Sequence, residues 1–359
     1  MVRASVLGLV LLFAAGIWPH WYGHGPRHVP QYGVSFSCRH AEWLGLDCVQ
    51  TYRALLDDLG VRHLRLSVHW WEVEPEPGRF TFDHVRWLLD EAHARGARVV
   101  LSVGMKAQRH PEFYLPDWLR QRAALEPWRS PAADPLVAER TVLLVERTVQ
   151  ALADHPAIEA WQVENEPYMW NPRLFGPGRS HGWWVTRDLV LREIEAVRRH
   201  DPHGRPVVVT HSSWTVLDDT WRTILEDADI LGQDLYFRRQ VGPFSSFYLE
   251  PYRTGPLAPN FRRQAEAAQD RGKALWIMEF QAEPHEEAAV RAPTADESGS
   301  LTPERFNHYL AMAERSGAQR VYLWGAEWWY FMKTVHGDGS WWEAMRGLLA
   351  LEPGRGERL

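Results

Sequence analysis

The sequence predicts an α/β fold, a single-domain (β/α)8 barrel. Three observations carry that prediction. From residue 31 onward, short runs rich in β-branched and aromatic residues alternate with amphipathic stretches, the pattern of parallel strands joined by crossover helices. The alternation is completed eight times. The connections that leave the strands are in several cases long, whereas those that return to them are mostly short.

The strands are expected at Tyr32–Phe36, His63–Val68, Arg98–Val103, Ile158–Val163, Pro206–Thr210, Asp229–Gly232, Ala274–Met278 and Arg320–Trp324. Helical patterns fill the gaps. Asp83–Arg95 is stopped by Gly96, and Pro135–Asp154 has Asp134 as its cap and a proline at its first position. Trp341–Leu349 supplies the final helix. The long connections follow strands three, four, six and seven, at Gly104–Asp134, Tyr168–Gly182, Phe237–Pro259 and Phe280–Thr302. In such barrels the site forms on the face where strands end and these loops begin.

A length of 359 residues would accommodate two average domains, but there is no linker, repeat or low-complexity segment, so one domain from residue 29 to 359 is the simpler reading. A hydrophobic content of 45% with 24% charge fits a soluble, core-forming chain. The net charge of −6, with no basic stripe, argues against a nucleic-acid partner. Twenty tryptophans are the anomaly; the apolar faces of sugar rings lie on such surfaces, which favours a carbohydrate partner. Residues 1–28 hold Arg3, an apolar run from Ala4 to Ile17 and a histidine-rich stretch to His28. That is the layout of an export signal or a short N-terminal membrane tether, since a spanning helix needs about 20 apolar residues. An extracellular or cell-envelope location follows. Cys38 and Cys48 are either one disulfide or two thiols.

The strand ends gather a short set of side chains: Arg65 in strand two, Trp70 after it, Asn165 and Glu166 after strand four, His211 after strand five, Asp234 and Tyr236 after strand six, Glu279 after strand seven and Trp324 ending strand eight. In Trp161-Gln162-Val163-Glu164-Asn165-Glu166-Pro167 a buried strand ends in an amide and a carboxylate, and Pro167 is expected to hold Glu166 extended. Leu275-Trp276-Ile277-Met278 sets Glu279 at the lip of a dry core, where Arg65 would pair with it and keep it ionised. Two carboxylates across one mouth suit glycoside hydrolysis, one protonating the leaving oxygen and the other attacking or activating water. Arg65 would lower the pKa of Glu279, while Glu166 beside an existing negative charge would keep its proton. Glu164 and Glu283 are the rival carboxylates, and a structural ion-pair network at the rim is the bland alternative. His285-Glu286-Glu287 lacks the spacing for two metal ligands on one helical face, and no GxGxxG or P-loop pattern occurs, so neither metal nor other cofactor is expected.

On these residues the chain resembles the clan A glycoside hydrolases, over residues 31 to about 350. Asn165-Glu166-Pro167 is similar to their strand-four motif, Glu279 to their strand-seven position and Trp324 to their strand-eight aromatic. Leu64 to Trp70, followed by Glu74-Pro75-Glu76-Pro77-Gly78-Arg79-Phe80, looks like strand two and its loop in the cellulase-like family 5 and the related families 42 and 39. The resemblance implies a retaining β-glycosidase with Glu166 as acid/base and Glu279 as nucleophile. It further implies that Arg65 and Tyr236 bond the nucleophile, that Asn165 contacts the sugar 2-hydroxyl, and that Trp324 floors the subsite of the attacked ring. The chain departs from family 5 in lacking a histidine after strand three, where it has Gly104-Met105-Lys106, and in having Asp234 two residues before Tyr236. A silent carbohydrate-binding barrel and a transglycosylase using the same two glutamates are the alternatives.

Overall fold

The computed structural model describes residues 27–168, 181–212, 218–236, 239–240, 248–249, 259–292, 294, 298–351 and 353. The expected export signal or tether lies, except for its last two residues, outside the described residues. Among the described residues no helix is long and apolar enough to cross a membrane.

Eight parallel strands form the barrel: β1 (Gln31–Ser35), β2 (His63–Ser67), β3 (Arg98–Val103), β4 (Ile158–Val163), β5 (Val207–His211), β6 (Ile230–Leu235), β7 (Ala274–Gln281) and β8 (Arg320–Trp324). Each pairs with the next, and β8 closes on β1. The crossover helices are α1 (Cys48–Asp57), α2 (Asp83–Ala94), α3 (Pro135–Leu152), α4 (Arg187–His200), α5 (Thr220–Asp227), α6 (Phe261–Gln269) and α7 (Pro303–Arg315), with α8 (Ser340–Leu349) last. Several start on the caps their sequences offer. Asp134 accepts from the Leu136 N–H, with Pro135 at the first position, and Thr186 and Thr302 cap α4 and α7 in the same way.

The expected bounds of β3, β4 and β8 hold, but β6 and β7 run further than their apolar stretches. Asp234 and Glu279 therefore lie inside strands, opposite one another in register. Polarity suggested an early end, yet closure of the barrel gives the backbone of these residues ladder partners on the neighbouring strand.

Two apolar layers support the mouth. Val100, Ala160, Val208, Trp276, Met278 and Tyr322 belong to the cluster that fills the barrel, and a larger cluster lies between strands and helices. Cys38 and Cys48 are joined in a disulfide, with Cα atoms 4.9 Å apart, which ties a short helix at Cys38–Trp43 to the start of α1. Closing so short a loop contributes roughly 2–3 kcal/mol on the chain-entropy model.

Candidate active site

Simple alternation along β7 would turn Leu275, Ile277 and Glu279 toward the helices and Trp276, Met278 and Phe280 into the barrel. Through Met278 the strand obeys: Leu275 and Ile277 pack in the outer layer, Trp276 and Met278 in the inner one. Then the pairing slips on both sides. Against β6, Gln233 faces Ile277 but Asp234 faces Glu279; against β8, Val321 faces Ile277 but Leu323 faces Phe280. Thus β7 carries one extra residue near Met278–Glu279, a β-bulge. Phe280 consequently packs in the outer layer and Glu279 turns into the mouth. The Met278 carbonyl accepts from Arg65 Nη1 at 3.3 Å and from Ser35 Oγ at 3.4 Å.

Arg65, fully buried in β2, organises the floor. Its Nη1 donates to Glu279 Oε1 at 2.7 Å, its Nη2 to Asn165 Oδ1 at 2.6 Å and its Nε to Gln162 Oε1 at 2.6 Å. The Tyr236 hydroxyl donates to the other oxygen of Glu279. Burial first, and the Glu279 charge next, push the Tyr236 phenol well above its ordinary range, so it remains a donor. Arginine has no acceptor, so its bond fixes the Asn165 amide with oxygen toward Arg65 and leaves Nδ2 as the group offered to a ligand.

At the tip of β4 the backbone does something the sequence did not predict. Glu164 and Glu166 have φ of 56° and 42°, in the left-handed region, so Pro167 does not hold Glu166 extended. Hydrogen bonds override the local preference. Glu164 N–H donates to Val103 O at 2.8 Å, Asn165 N–H to Lys106 O at 2.9 Å and Glu166 N–H to Thr210 Oγ1 at 2.8 Å, while Lys106 Nζ donates to Glu166 O at 3.0 Å. Left-handed geometry at a non-glycine residue costs of order 1 kcal/mol or more and persists only where the surroundings fix it. The turn at Glu164 also separates the two carboxyls. Glu164 accepts from Met105 N–H at 2.9 Å and Lys106 N–H at 2.7 Å, away from the mouth, whereas Glu166 lines it. Gly104 makes room, since a Cβ there would lie 2.5 Å from the Glu164 carboxyl carbon.

The mouth is a cavity of about 640 Å³ lined by Asn165, Glu166, Tyr236, Glu279 and Trp324, with Trp71 and Arg109 among its other walls. Arg109, from the long connection after β3, lies over the Trp324 ring, its guanidinium carbon 3.8 Å from the ring centre. It also pairs with Glu283 beyond β7 and with Glu327 beyond β8, the latter at 3.1 Å. Burial would raise the Glu283 carboxyl, but Arg109 and His40 outweigh it and hold it at about 2. Glu283 is thus a permanently ionised wall residue. Donor atoms of His40, Glu283 and Glu327 lie within 4.8 Å of one another, but the guanidinium bonded to both carboxylates already supplies the charge that a cation would bring.

Of the residues expected at the mouth, the structure brings together Arg65, Asn165, Glu166, Tyr236, Glu279 and Trp324. Trp70 is a correction. It is fully buried and donates from Nε1 to Glu74 Oε2 at 2.7 Å, and its neighbour Trp71 takes the place on the wall. The reason is local: a helical turn starts at Trp70, which points its first residue into the core. Asp234 and His211 lie behind the lining. Asp234 is fully buried in β6, and His211 Nε2 lies 3.0 Å from Asp218 Oδ2. Gln162 and Arg109 were missed. Gln162 sits two residues after the inward Ala160, a signal that period-two counting along β4 reveals. For Arg109 the sequence offers no signal, because its position depends on a loop crossing the mouth.

A closed eight-stranded parallel barrel with two glutamates lining its mouth has counterparts among glycoside hydrolases, and the comparisons show which ones this chain is similar to. Residues 42–175 match the family model described as Beta-galactosidase, glycoside hydrolase family 42. The β-galactosidase of the psychrophilic Marinomonas ef1 superposes with a TM-score of 0.53 at 16% identity, covering 82% of this chain and 53% of that one. The exo-β-1,4-mannosidase Op5Man5 from Opitutaceae bacterium strain TAV5 gives 0.56 at 16%, covering 92% and 63%. GH5_18 from Streptomyces cattleya, solved in complex with GlcNAc, gives 0.55 at 17%, covering 83% and 70%. The chain spans about half the length of the β-galactosidases it matches. At these identities the likeness is one of fold.

Proposed function

We propose that the chain is a retaining β-glycoside hydrolase acting on β-linked oligo- or polysaccharide, with Glu279 as nucleophile and Glu166 as acid/base. The observation that carries this reading is the grip on Glu279: a buried guanidinium on one oxygen and a phenol on the other, at the wall of a cavity that Glu166 also lines. A carboxylate so held is aimed, as a nucleophile must be. In the first step Glu166 gives its proton to the glycosidic oxygen while Glu279 attacks the anomeric carbon, releasing the leaving group and forming a glycosyl ester. In the second, Glu166 takes a proton from water, which attacks the same carbon and restores Glu279. Asn165 Nδ2 meets the sugar 2-hydroxyl, and Trp324, with Arg109 on one face, bounds the subsite.

The family-model match and the glycosidases of similar fold support the activity. The Cys38–Cys48 bridge and the apolar run after Arg3 support export from the cytoplasm. To test the chemistry, the protein is incubated with 2-deoxy-2-fluoro aryl β-glycosides of galactose, mannose, glucose and N-acetylglucosamine. A covalent adduct mapped by mass spectrometry to Glu279 is expected, with retained configuration in the products of ordinary aryl glycosides. A label elsewhere or an inverted product refutes the mechanism, and no turnover across the panel favours a silent binding barrel.

A further inference from the structure

Behind the strand-four tip lies a carboxyl pair that the proposed chemistry does not use. Glu164 and Glu193 of α4 are both fully buried and lie carboxyl against carboxyl. Among the described residues no other donor reaches either oxygen of Glu193. Two carboxylates cannot sit in that contact without a proton, so the pair retains one. Glu164, which accepts two backbone N–H groups, is the better anion, and Glu193 is therefore the donor.

We propose that Glu164 and Glu193 share a proton and act as positioning residues for Glu166, by fixing the turn after β3 to which the strand-four tip is laced. The inference rests on the acid/base role given to Glu166 above. The chain of contacts is continuous. Glu193 holds Glu164, Glu164 holds the Met105 and Lys106 amides, and Lys106 holds the tip through its carbonyl to Asn165 and its ammonium to Glu166. With the last proton gone, two like charges would face each other in a dry site. The turn would then be released, together with the left-handed backbone of Glu166 that it maintains.

The charged neighbours of the pair are Lys106 from the turn and Arg192 from α4, and Tyr168 beyond β4 is the further titratable group nearby. Burial raises both carboxyls above their ordinary range, and the Glu164 charge raises Glu193 further. Because the folded values exceed the unfolded ones, the folded state binds more protons. The stabilisation is present at low pH and is lost as pH rises through the raised values.

The test compares the unaltered protein with Glu193→Ala and Glu193→Gln on two aryl β-glycosides of one sugar. One carries dinitrophenolate, which departs without a proton, and the other phenolate, which needs one. Glu193→Ala is expected to slow the phenyl substrate about 10- to 100-fold and the dinitrophenyl substrate less than about 3-fold, because only proton donation is misplaced. The amide of Glu193→Gln donates permanently to Glu164. It should recover most of the phenyl rate, move the alkaline limb of its pH profile upward and flatten the fall of Tm from mildly acid to mildly alkaline pH. Equal losses on both substrates, or an alkaline limb and Tm profile unmoved by Glu193→Gln, overturn the proposal. If Glu193→Ala does not fold, the Glu193→Gln profiles decide alone. If the unaltered protein turns over neither substrate, the glycosidase reading fails and the positioning of a proton donor with it; the Tm profiles then decide whether the proton is shared.

Discussion

The tips of β4 and β7 each deliver a glutamate to the same cavity by opposite means. At β7 the change happens inside the strand: one extra residue reverses its alternation, and the carboxylate that emerges is held by its own oxygens, on Arg65 and Tyr236. At β4 the strand ends first. Two left-handed residues turn the chain, and it is the backbone of Glu166 that is held, by Thr210 and Lys106. The difference fits the two tasks proposed for these glutamates. A nucleophile must keep one charge and one direction, so gripping its oxygens helps. A group that gives and takes a proton must change its charge, so its support is better placed on the backbone, where protonation does not alter the contacts.

The sharpest way to break this comparison is to remove each carboxylate in turn. Glu279→Gln should lower kcat on aryl β-glycosides by about 10⁴-fold or more, with good and poor leaving groups alike, because the covalent step itself is lost. Glu166→Gln should cost about 10²- to 10⁴-fold on a phenyl glycoside but much less on a dinitrophenyl one. If the two variants show the same leaving-group dependence, the division of labour is wrong. A smaller perturbation is Tyr236→Phe, which strips one donor from a buried carboxylate. Hydrogen bonds to charged groups contribute about 1.5–3 kcal/mol, so roughly 10- to 100-fold in kcat should go, read by steady-state kinetics. The mildest is Thr210→Val, which leaves the Glu166 N–H buried without its acceptor. A loss of about 1–3 kcal/mol in unfolding free energy by urea titration is expected, with a rate deficit larger for the phenyl than for the dinitrophenyl substrate. An equal deficit on both would mean that Thr210 supports the fold and not the placement of Glu166.

How much of this was legible depends on how local the cause is. The strand-four motif, the carboxylate after an apolar strand and an arginine in a strand are properties of short segments. From them the barrel and the pairing of Arg65 with Glu279 could be anticipated, and the contact of Tyr236 with Glu279 followed from the family resemblance that they carry. The bulge in β7 could not, because it exists only relative to β6 and β8. Counting from Trp276 would have sent Glu279 outward, and its expected place came from polarity and resemblance, not from register. Trp70 was placed in the mouth because aromatic character says nothing about which way the first residue of a helical turn points. The backbone of Glu166 was misjudged because a proline's influence on its neighbour is worth less than four hydrogen bonds at one strand tip.

The reversed alternation in β7 has a further meaning for how such a site changes over time. Glu279 faces the cavity because the bulge absorbs one residue ahead of it. Loss of the codon for Met278 would remove that extra residue, so that Glu279 followed Ile277 directly and still faced the cavity opposite Asp234, with Phe280 still in the outer layer. What the deletion would cost is the Met278 side chain in the inner layer and the carbonyl that accepts from Arg65 and Ser35. A one-residue insertion ahead of a strand-end carboxylate can therefore be absorbed with the direction of the carboxylate kept, so such an indel leaves the site facing its cavity.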